Sequence, residues 1–160
     1  STRMTESAAI AHYLVTRYGP TPLAIATNEP DYGAFLNWLH FGEATLTFPQ
    51  TLVLRYSQLE PEERRNPQVA TDYAKWFHGR LRGIEAALAD REVLCGGRFT
   101  VADVSVGYAL LLASRIGLAK DFTPNVADYW QRLQKRDGYR RAVEAENLAS
   151  DRQGVPRRAY

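Results

Sequence analysis

The sequence predicts an all-α protein. Apolar side chains recur at three- and four-residue intervals through most of the 160 residues, which is the spacing of one face of an α-helix. A strongly marked helix start lies at residues 99–104, and no internal repeat or low-complexity tract appears. These observations favour one isolated helix followed by a bundle of about five helices.

Composition sets limits on the function. Hydrophobic residues at 45% and charged residues at 24% fit one globular domain with a substantial core. The net charge of +2 is too small to favour nucleic acid or an anionic membrane surface. Charged residues interrupt each apolar run well before ~18 residues, so no transmembrane or signal segment is expected. The single cysteine, Cys95, excludes an internal disulfide framework, and no Cys/His cluster has metal-ligand spacing. We therefore expect a cytoplasmic protein without a metal.

The first helix is expected over residues 5–18. Ile10, Tyr13 and Leu14 follow helical spacing, and Gly19-Pro20 predicts the end of the helix. The prolines and polar residues that follow predict a turn-rich linker up to residue 30.

Two long helical patterns come next. The first begins at Asp31, and Pro49 should kink or interrupt it. The second runs from about Gln68 to Asp90 with apolar residues at three- and four-residue spacings.

Residues 99–104 carry the signals of a buried helix start. With Thr100 as the N-cap, its hydroxyl can accept from the backbone N–H of Asp103 while the Asp103 carboxylate accepts from the N–H of Thr100. Phe99 and Val104 stand at the offsets of a hydrophobic staple. Because an aspartate held by backbone amides is already satisfied, we assign Thr100 and Asp103 a structural role.

The last part of the chain predicts two short helices. One opens at Thr123-Pro124 and ends at Asp137-Gly138, and the other covers residues 139–143. The tail from Ser150 is expected to be mobile.

Two segments resemble one known family. The run Leu94-Cys95-Gly96-Gly97-Arg98-Phe99-Thr100-Val101-Ala102-Asp103 resembles the segment that opens the core helix of the C-terminal domain in cytosolic glutathione transferases. Residues 5–20 resemble the last helix of the thioredoxin-like N-terminal domain of the same family. The resemblance implies a glutathione transferase C-terminal-like helical bundle at residues 31–149. It also implies a terminal helix of a largely absent thioredoxin-like domain at 1–19, a linker at 20–30 and a tail at 150–160.

The resemblance also implies a ligand site. In the family, an acidic or amide residue followed by serine at this helix start holds the γ-glutamyl end of glutathione, and Glu6 and Ser7 occupy those positions. Free N–H groups and the positive end of the helix dipole suit a carboxylate, and a glutamate can pair with an ammonium group. The alternative is that Glu6 only complements the dipole and Ser7 only caps the helix.

Other candidate residues carry weaker signals. Trp38, Phe41, Phe48 and Tyr108 are candidates for an apolar electrophile pocket, although aromatic residues at helical spacing more often form core. The three histidines are expected at the surface or in packing. Cys95 would be oxidisable if exposed.

The resemblance implies a glutathione transferase, in which the thiolate of the co-substrate glutathione attacks an electrophilic apolar substrate. The thiol-activating residue of the family is not found in this sequence, so we expect a fragment that is inactive alone. The long second and third helical segments carry more aromatic surface than one small bundle needs and resemble the pair that forms the family's two-fold interface, so we also expect a homodimer. The alternatives are a non-enzymatic protein-interaction module and an isomerase or dehalogenase of the same superfamily.

Overall fold

The computed structural model describes residues 2–157, and all regular secondary structure in that range is helical. The all-α prediction is therefore confirmed. The α-helices are α1 (Ser7–Arg17), α2 (Tyr32–His40), α3 (Phe48–Leu54), α4 (Pro67–Ala87), α5 (Val101–Arg115), α6 (Pro124–Gln134) and α7 (Asp137–Gln153). Short 3₁₀ turns lie at Glu62–Arg64 and Ala119–Asp121.

Helices α2 and α3 form one continuous helical segment, which we call the α2–α3 rod. A π-helical stretch, Phe41–Thr47, joins them, and a second one, Arg55–Leu59, follows α3. Pro49 lies in the first turn of α3, where a missing backbone N–H costs little. The interruption expected at Pro49 is thus a change of helical pitch just before it.

Helix α5 is the centre of the bundle. Its inward residues Val106, Ala109, Leu110 and Ala113 have no solvent exposure. Around them pack buried side chains of the α2–α3 rod, α4 and α6, among them Leu46, Phe77, Leu81, Ile84 and Tyr129.

A close backbone contact fixes the π-helical stretch against α5. A Cβ atom at Gly42 would lie 2.5 Å from the carbonyl carbon and 2.6 Å from the carbonyl oxygen of Ser105. The Ser105 hydroxyl donates to the carbonyl of Leu39 at 2.7 Å. Glycine is therefore required at residue 42 for the two helices to approach this closely.

Helix α1 belongs to a second apolar cluster, which we call the α1 cluster. It consists of Ala8 and Val15 with Ile25, Phe35, Leu39, Cys95, Val101 and Ala102. The inward face of α1 is therefore not the one expected from spacing, since Leu14 is 49% exposed. The short side chain of Ala8 lets α1 lie close to the bundle.

The linker, residues 20–30, forms polar contacts with the loop before α5. Arg98 donates to the carbonyl of Ala24 at 2.9 Å and pairs with Glu29 at 2.7 Å. The N–H of Gly96 donates to Asp31 Oδ2 at 2.7 Å. These contacts hold the end of the linker and the start of α5 together.

The C-terminal part differs from the prediction. Helix α6 ends at Gln134, Asp137-Gly138 begins α7 instead of closing α6, and α7 continues to Gln153 rather than stopping near residue 143. Tyr139 packs edge-on against Trp130, with ring centroids 5.6 Å apart, and so anchors the first turn of α7. The last residues of the expected tail, 158–160, and Ser1 lie outside the described residues.

Candidate functional site

The N-terminus of α1 is an open, polar helix end. Glu6 and Ser7 are exposed, whereas the next residue, Ala8, is buried. Glu6 precedes the helix with φ 65° and ψ 101°, and its carbonyl accepts the N–H of Ile10 at 2.9 Å. A non-glycine residue at positive φ is strained and persists where its surroundings impose it. The Glu6 side chain itself makes no capping hydrogen bond to the helix.

Glu43 reaches this helix end from the π-helical stretch. Its Oε2 lies 3.4 Å from Ser7 Oγ and 3.3 Å from the backbone nitrogen of Ala8. Sequence reasoning missed Glu43 because it lies 36 residues from Ser7 and no local pattern marks the contact. Only the fold brings a second carboxylate to α1.

The arrangement suits the amino-acid end of a ligand. The helix amides and the Ser7 hydroxyl are donors for a carboxylate, and the positive end of the helix dipole favours a negative charge there. The Glu6 carboxylate can accept from an ammonium group next to that carboxylate. Both predicted ligand residues, Glu6 and Ser7, thus face solvent at one helix end.

The four aromatic candidates are not gathered in one cavity. Trp38 packs edge-on against Phe41 with centroids 5.1 Å apart, and both rings pack against the main core. Phe48 is 50% exposed and lies edge-on against Trp76. Tyr108 is 54% exposed on α5. The positions of these four side chains therefore do not by themselves define an electrophile pocket.

Tyr108 lines a groove between α5 and α7 with a volume of about 920 Å³. Val104 and Leu111 of α5 also line the groove, together with Phe99 before α5 and Tyr139 of α7. The Arg136 guanidinium lies 3.6 Å from the centroid of the Phe99 ring. The groove is thus mainly apolar and aromatic, and its charged lining residues carry both signs.

The start of α5 contains a buried carboxylate. The capping box at Thr100 and Asp103 is present, with the N–H of Thr100 donating to Asp103 Oδ2 at 2.8 Å. The Thr100 hydroxyl accepts from the N–H of Ala102 at 3.2 Å. Two partners were not foreseen: the N–H of Leu94 at 3.2 Å and the hydroxyl of Tyr129 at 2.8 Å, both on Asp103 Oδ1. These bonds turn the carboxylate inward, as a structural role requires.

The remaining candidates have packing partners. His12 lies edge-on to Phe35, and His78 Nε2 lies 3.0 Å from the carbonyl oxygen of Leu118. His40 is exposed beside a hollow of about 330 Å³ that Phe41 also lines. Cys95 is 1% exposed, and burial raises the pKa of its thiol, which disfavours the reactive thiolate.

Within residues 2–157, no group of three or more His, Cys, Asp or Glu residues is arranged to hold a metal ion. In the same part of the chain, no helix combines the length and the apolar character needed to cross a membrane.

No protein-family model matches the sequence. Two curated proteins are similar to it over most of its length. Glutathione S-transferase GstA of Escherichia coli O157:H7 is 29% identical over 147 residues, which are 92% of this chain and 70% of that protein. Glutathione S-transferase PM239X14 of Arabidopsis thaliana is 27% identical over 135 residues, 81% of this chain and 62% of that protein. The chain thus spans less than two thirds of the second relative.

The fold matches solved structures over a similar length. The glutathione transferase Ure2p5 from Phanerochaete chrysosporium superposes with a TM-score of 0.82 at 23% identity, covering 94% of this chain and 69% of that one. Ure2p in complex with glutathione gives a TM-score of 0.76 at 21% identity, covering 87% of this chain and 68% of that one. At these identities the likeness establishes the fold.

The described residues form an all-α bundle with one additional helix whose N-terminus is open and polar. The chain is thus similar over most of its length to proteins named glutathione S-transferases and shares the fold of solved glutathione transferases.

Proposed function

We propose that the N-terminus of α1 binds the γ-glutamyl end of glutathione. The observation that carries the proposal is the exposure of Glu6 and Ser7 at a helix end whose next residue is buried. The Ser7 hydroxyl and the helix amides are donors for the α-carboxylate of the ligand, and Glu6 accepts from its ammonium group. Relatives named as glutathione transferases support this assignment.

The proposed reaction is conjugation of glutathione to an electrophilic apolar substrate. The glutathione thiol loses its proton, and the thiolate sulfur forms a bond to the electrophilic carbon while the leaving group departs with its electron pair. In this proposal the group that lowers the thiol pKa is outside residues 1–160, so the chain alone is inactive.

The two alternative functions make different demands on α1. An interaction module has no need of an exposed carboxylate and hydroxyl at this helix end, whereas an isomerase or dehalogenase of the same superfamily would bind glutathione in the same way. The exposed pair Glu6 and Ser7 therefore favours an enzyme and does not separate the reactions. Tyr108, Trp38, Phe41 and Phe48 remain predictions for the electrophile pocket.

The binding proposal is tested by titrating the ¹⁵N-labelled chain with glutathione and following the amide signals of Ser7, Ala8 and Ala9. We expect saturable shifts there, and weaker binding after Ser7→Ala or Glu6→Gln with little change in thermal stability. Thr16→Ala, at an exposed position near the other end of α1, is the matched control. Equal binding by all variants, or no shifts at these amides, would contradict the assignment.

The activity proposal is tested with glutathione and a chromogenic aryl halide. We expect no turnover by the 160-residue chain. Turnover at the rate of an ordinary transferase, in a preparation free of longer protein, would contradict the proposed role of a missing thiol-activating residue.

We also propose that the chain forms a homodimer through α3 and α4. Phe48 and Trp76 are 50% and 42% exposed and lie edge-on to one another, and Tyr73 stacks on Trp76 at 5.4 Å. Exposed aromatic groups on adjacent helices are typical of a surface that is covered in an assembly. A cytoplasmic location, suggested by the single cysteine, is part of the same proposal.

Sedimentation at micromolar concentration tests the dimer. We expect Trp76→Glu to produce monomers, because a buried charge in an interface core is costly. Leu148→Glu, at a residue of α7 that is also 49% exposed, is the control and should leave the dimer intact. A wild-type chain that sediments as a monomer would contradict the proposal.

A further inference from the structure

The groove between α5 and α7 leaves large apolar side chains of the central helix in contact with water. Val104 and Tyr108 stand four residues apart on α5, so they share one helix face, and they are 49% and 54% exposed. Helix α7, which supplies further residues of the lining, has no buried residue of its own. Exposed apolar side chains that adjoin in a groove are typical of a surface that another molecule covers.

The groove has the size and the lining of a small-molecule site. Its volume of about 920 Å³ lies within the range of roughly 300–1,000 Å³ that is usual for pockets with small organic ligands. Four aromatic residues contribute to the lining: Phe99, Tyr108, Trp130 and Tyr139. Aromatic side chains pack against other rings in offset-stacked or edge-on arrangements. The lining therefore favours a ligand with an aromatic body.

The acidic residues of the lining already have donors of their own. Asp103 has no solvent exposure and accepts hydrogen bonds from within the protein. Glu146 pairs with Arg115 at 3.1 Å, and Asp137 lies 3.9 Å from Arg140. These donors reduce the repulsion that the three carboxylates would exert on an anion in the groove.

The basic residues of the lining keep their donors available. In the part of the chain that the structure describes, Lys135, Arg136 and Arg141 form no ion pair and no side-chain hydrogen bond. The Arg136 guanidinium lies over the ring of Phe99, 3.6 Å from its centroid. A guanidinium over a ring keeps its in-plane N–H groups free, and these can hold a carboxylate or a sulfonate through two hydrogen bonds. The groove thus offers an anion a cation that is held in place beside aromatic surface.

We propose that the groove between α5 and α7 binds aromatic organic anions, which are compounds with a flat apolar body and one carboxylate or sulfonate group. The body packs against Tyr108 and Trp130, and the anionic group pairs with Arg136. Among the described residues, none from α1 lines the groove, and of the four candidates for the electrophile pocket only Tyr108 does. The site is therefore separate from the proposed glutathione site, and the inference does not rest on it.

The test compares two ligands that share one aromatic body. The 160-residue chain is titrated with 8-anilinonaphthalene-1-sulfonate and with N-phenyl-1-naphthylamine, which lacks the sulfonate, and fluorescence measures both affinities. We expect Arg136→Gln to weaken binding of the sulfonate about threefold to tenfold and to leave binding of the neutral amine unchanged. Arg82→Gln makes the same change of charge at an exposed residue of α4 and should change neither affinity.

A second pair of variants tests the apolar wall. Tyr108→Glu places a charge where the aromatic body packs, so we expect it to weaken binding of both ligands at least about tenfold. Leu148→Glu introduces the same charge at an exposed residue of α7 that does not line the groove, and it should leave both affinities unchanged. The dispersion of the amide spectrum reports in the same samples that each variant is folded.

The position of the ligand is read from the ¹⁵N-labelled chain. Gly107 and Gly138 line the groove, so their amide signals should shift and saturate at one ligand per chain. The amide of Gly83, on the exposed face of α4, should not shift. An excess of glutathione should displace neither ligand.

Several results would overturn the inference. Absence of binding, signals that do not saturate, or shifts at Trp76 in place of the groove glycines would show at most adhesion of the dye to an apolar surface. An equal loss of affinity for both ligands in Arg136→Gln would mean that the arginine acts through packing and that the groove does not select anions. Displacement by glutathione would mean that the groove is not a separate site.

Discussion

The phenolic hydroxyl of Tyr129 donates a 2.8 Å hydrogen bond to Oδ1 of Asp103, and neither residue has any solvent exposure. The bond joins the first turn of α5 to the middle of α6. Asp103 also accepts from the N–H groups of Thr100 and Leu94. A capping carboxylate therefore links two helices and a loop, in addition to starting one helix.

We expect Asp103→Ala to lower the free energy of unfolding by about 3–5 kcal/mol, because it leaves several buried donors without an acceptor. Tyr129→Phe removes one hydrogen bond to a charged group and should cost about 1.5–3 kcal/mol. Urea denaturation at neutral pH measures both values. Asp72→Ala, at an exposed residue of α4, is the control, and a loss no larger than the control's for Asp103→Ala would show that the carboxylate is not structural.

The same pair predicts an alkaline limit of stability. Burial, followed by the charge of Asp103 and the hydrogen bond to it, raises the pKa of Tyr129 well above its usual value of 10.0. The neutral phenol is therefore favoured in the folded state, and its contribution is complete below the unfolded pKa and is lost as the pH rises above it. We expect wild type to lose stability above about pH 10 more steeply than Tyr129→Phe does. Parallel slopes for the two proteins would contradict this assignment.

Gly42 and Gly83 provide a matched pair of substitutions to alanine. A methyl group at residue 42 would overlap the backbone of Ser105, so we expect a loss of about 1–3 kcal/mol from overpacking. At Gly83, in α4, no atom lies within 4 Å of the added methyl group, and alanine should stabilise the helix by up to about 1 kcal/mol. Thermal unfolding distinguishes the two. Equal effects would mean that the rod and α5 can separate at little cost.

Glu85 is predicted to contribute to stability in a pH-dependent way. Burial alone would raise its pKa, but hydrogen bonds from the Thr123 hydroxyl and the amides of Asn125 and Val126 hold the pKa below the usual 4.5. The stabilisation is therefore present above the unfolded pKa and is lost as the pH falls through the lower folded value. Glu85→Gln should cost about 1 kcal/mol at neutral pH, because the carboxylate caps α6.

The acid dependence gives the decisive measurement for Glu85. Unfolding of wild type and Glu85→Gln is compared at neutral pH and below the usual glutamate pKa, and the difference between them should shrink in acid. Glu144→Gln, on the exposed face of α7, should show no such change. A constant difference across the pH range would rule out the charged cap.

The parts of the fold that the sequence predicts well are those with local chemical signals. The start of α5 is marked by Thr100 and Asp103, which stand three residues apart and form their capping hydrogen bonds within one turn. The start of α6 is similarly marked by Pro124 in its first turn. Where the signal was only a run of weakly apolar residues, as in α7, the helix proved longer than predicted because its anchor, Tyr139 on Trp130, is a tertiary contact.

The residues of the candidate site divide in the same way, into those marked by local sequence signals and those placed by tertiary contacts. Glu6 and Ser7 were found because they adjoin in the sequence at a helix start. Glu43 and Tyr129 were missed because their partners lie 36 and 26 residues away, and neither contact has a local spacing. The inward face of α1 was also misjudged, since a large apolar residue, Leu14, is exposed while the small Ala8 is buried.

Because of the α1 cluster, we expect α1 and the bundle to unfold as one cooperative unit, although the sequence predicts a linker between them. Ala8 and Val15 share their apolar surroundings with Phe35 from α2 and Ala102 from α5. Removing α1 would therefore expose the inner surface of the bundle to water and uncover Cys95, whose thiol is otherwise sealed. A laboratory truncation that begins at residue 31 is expected to yield a domain prone to aggregation and thiol oxidation. The practical boundary for producing this bundle lies before α1.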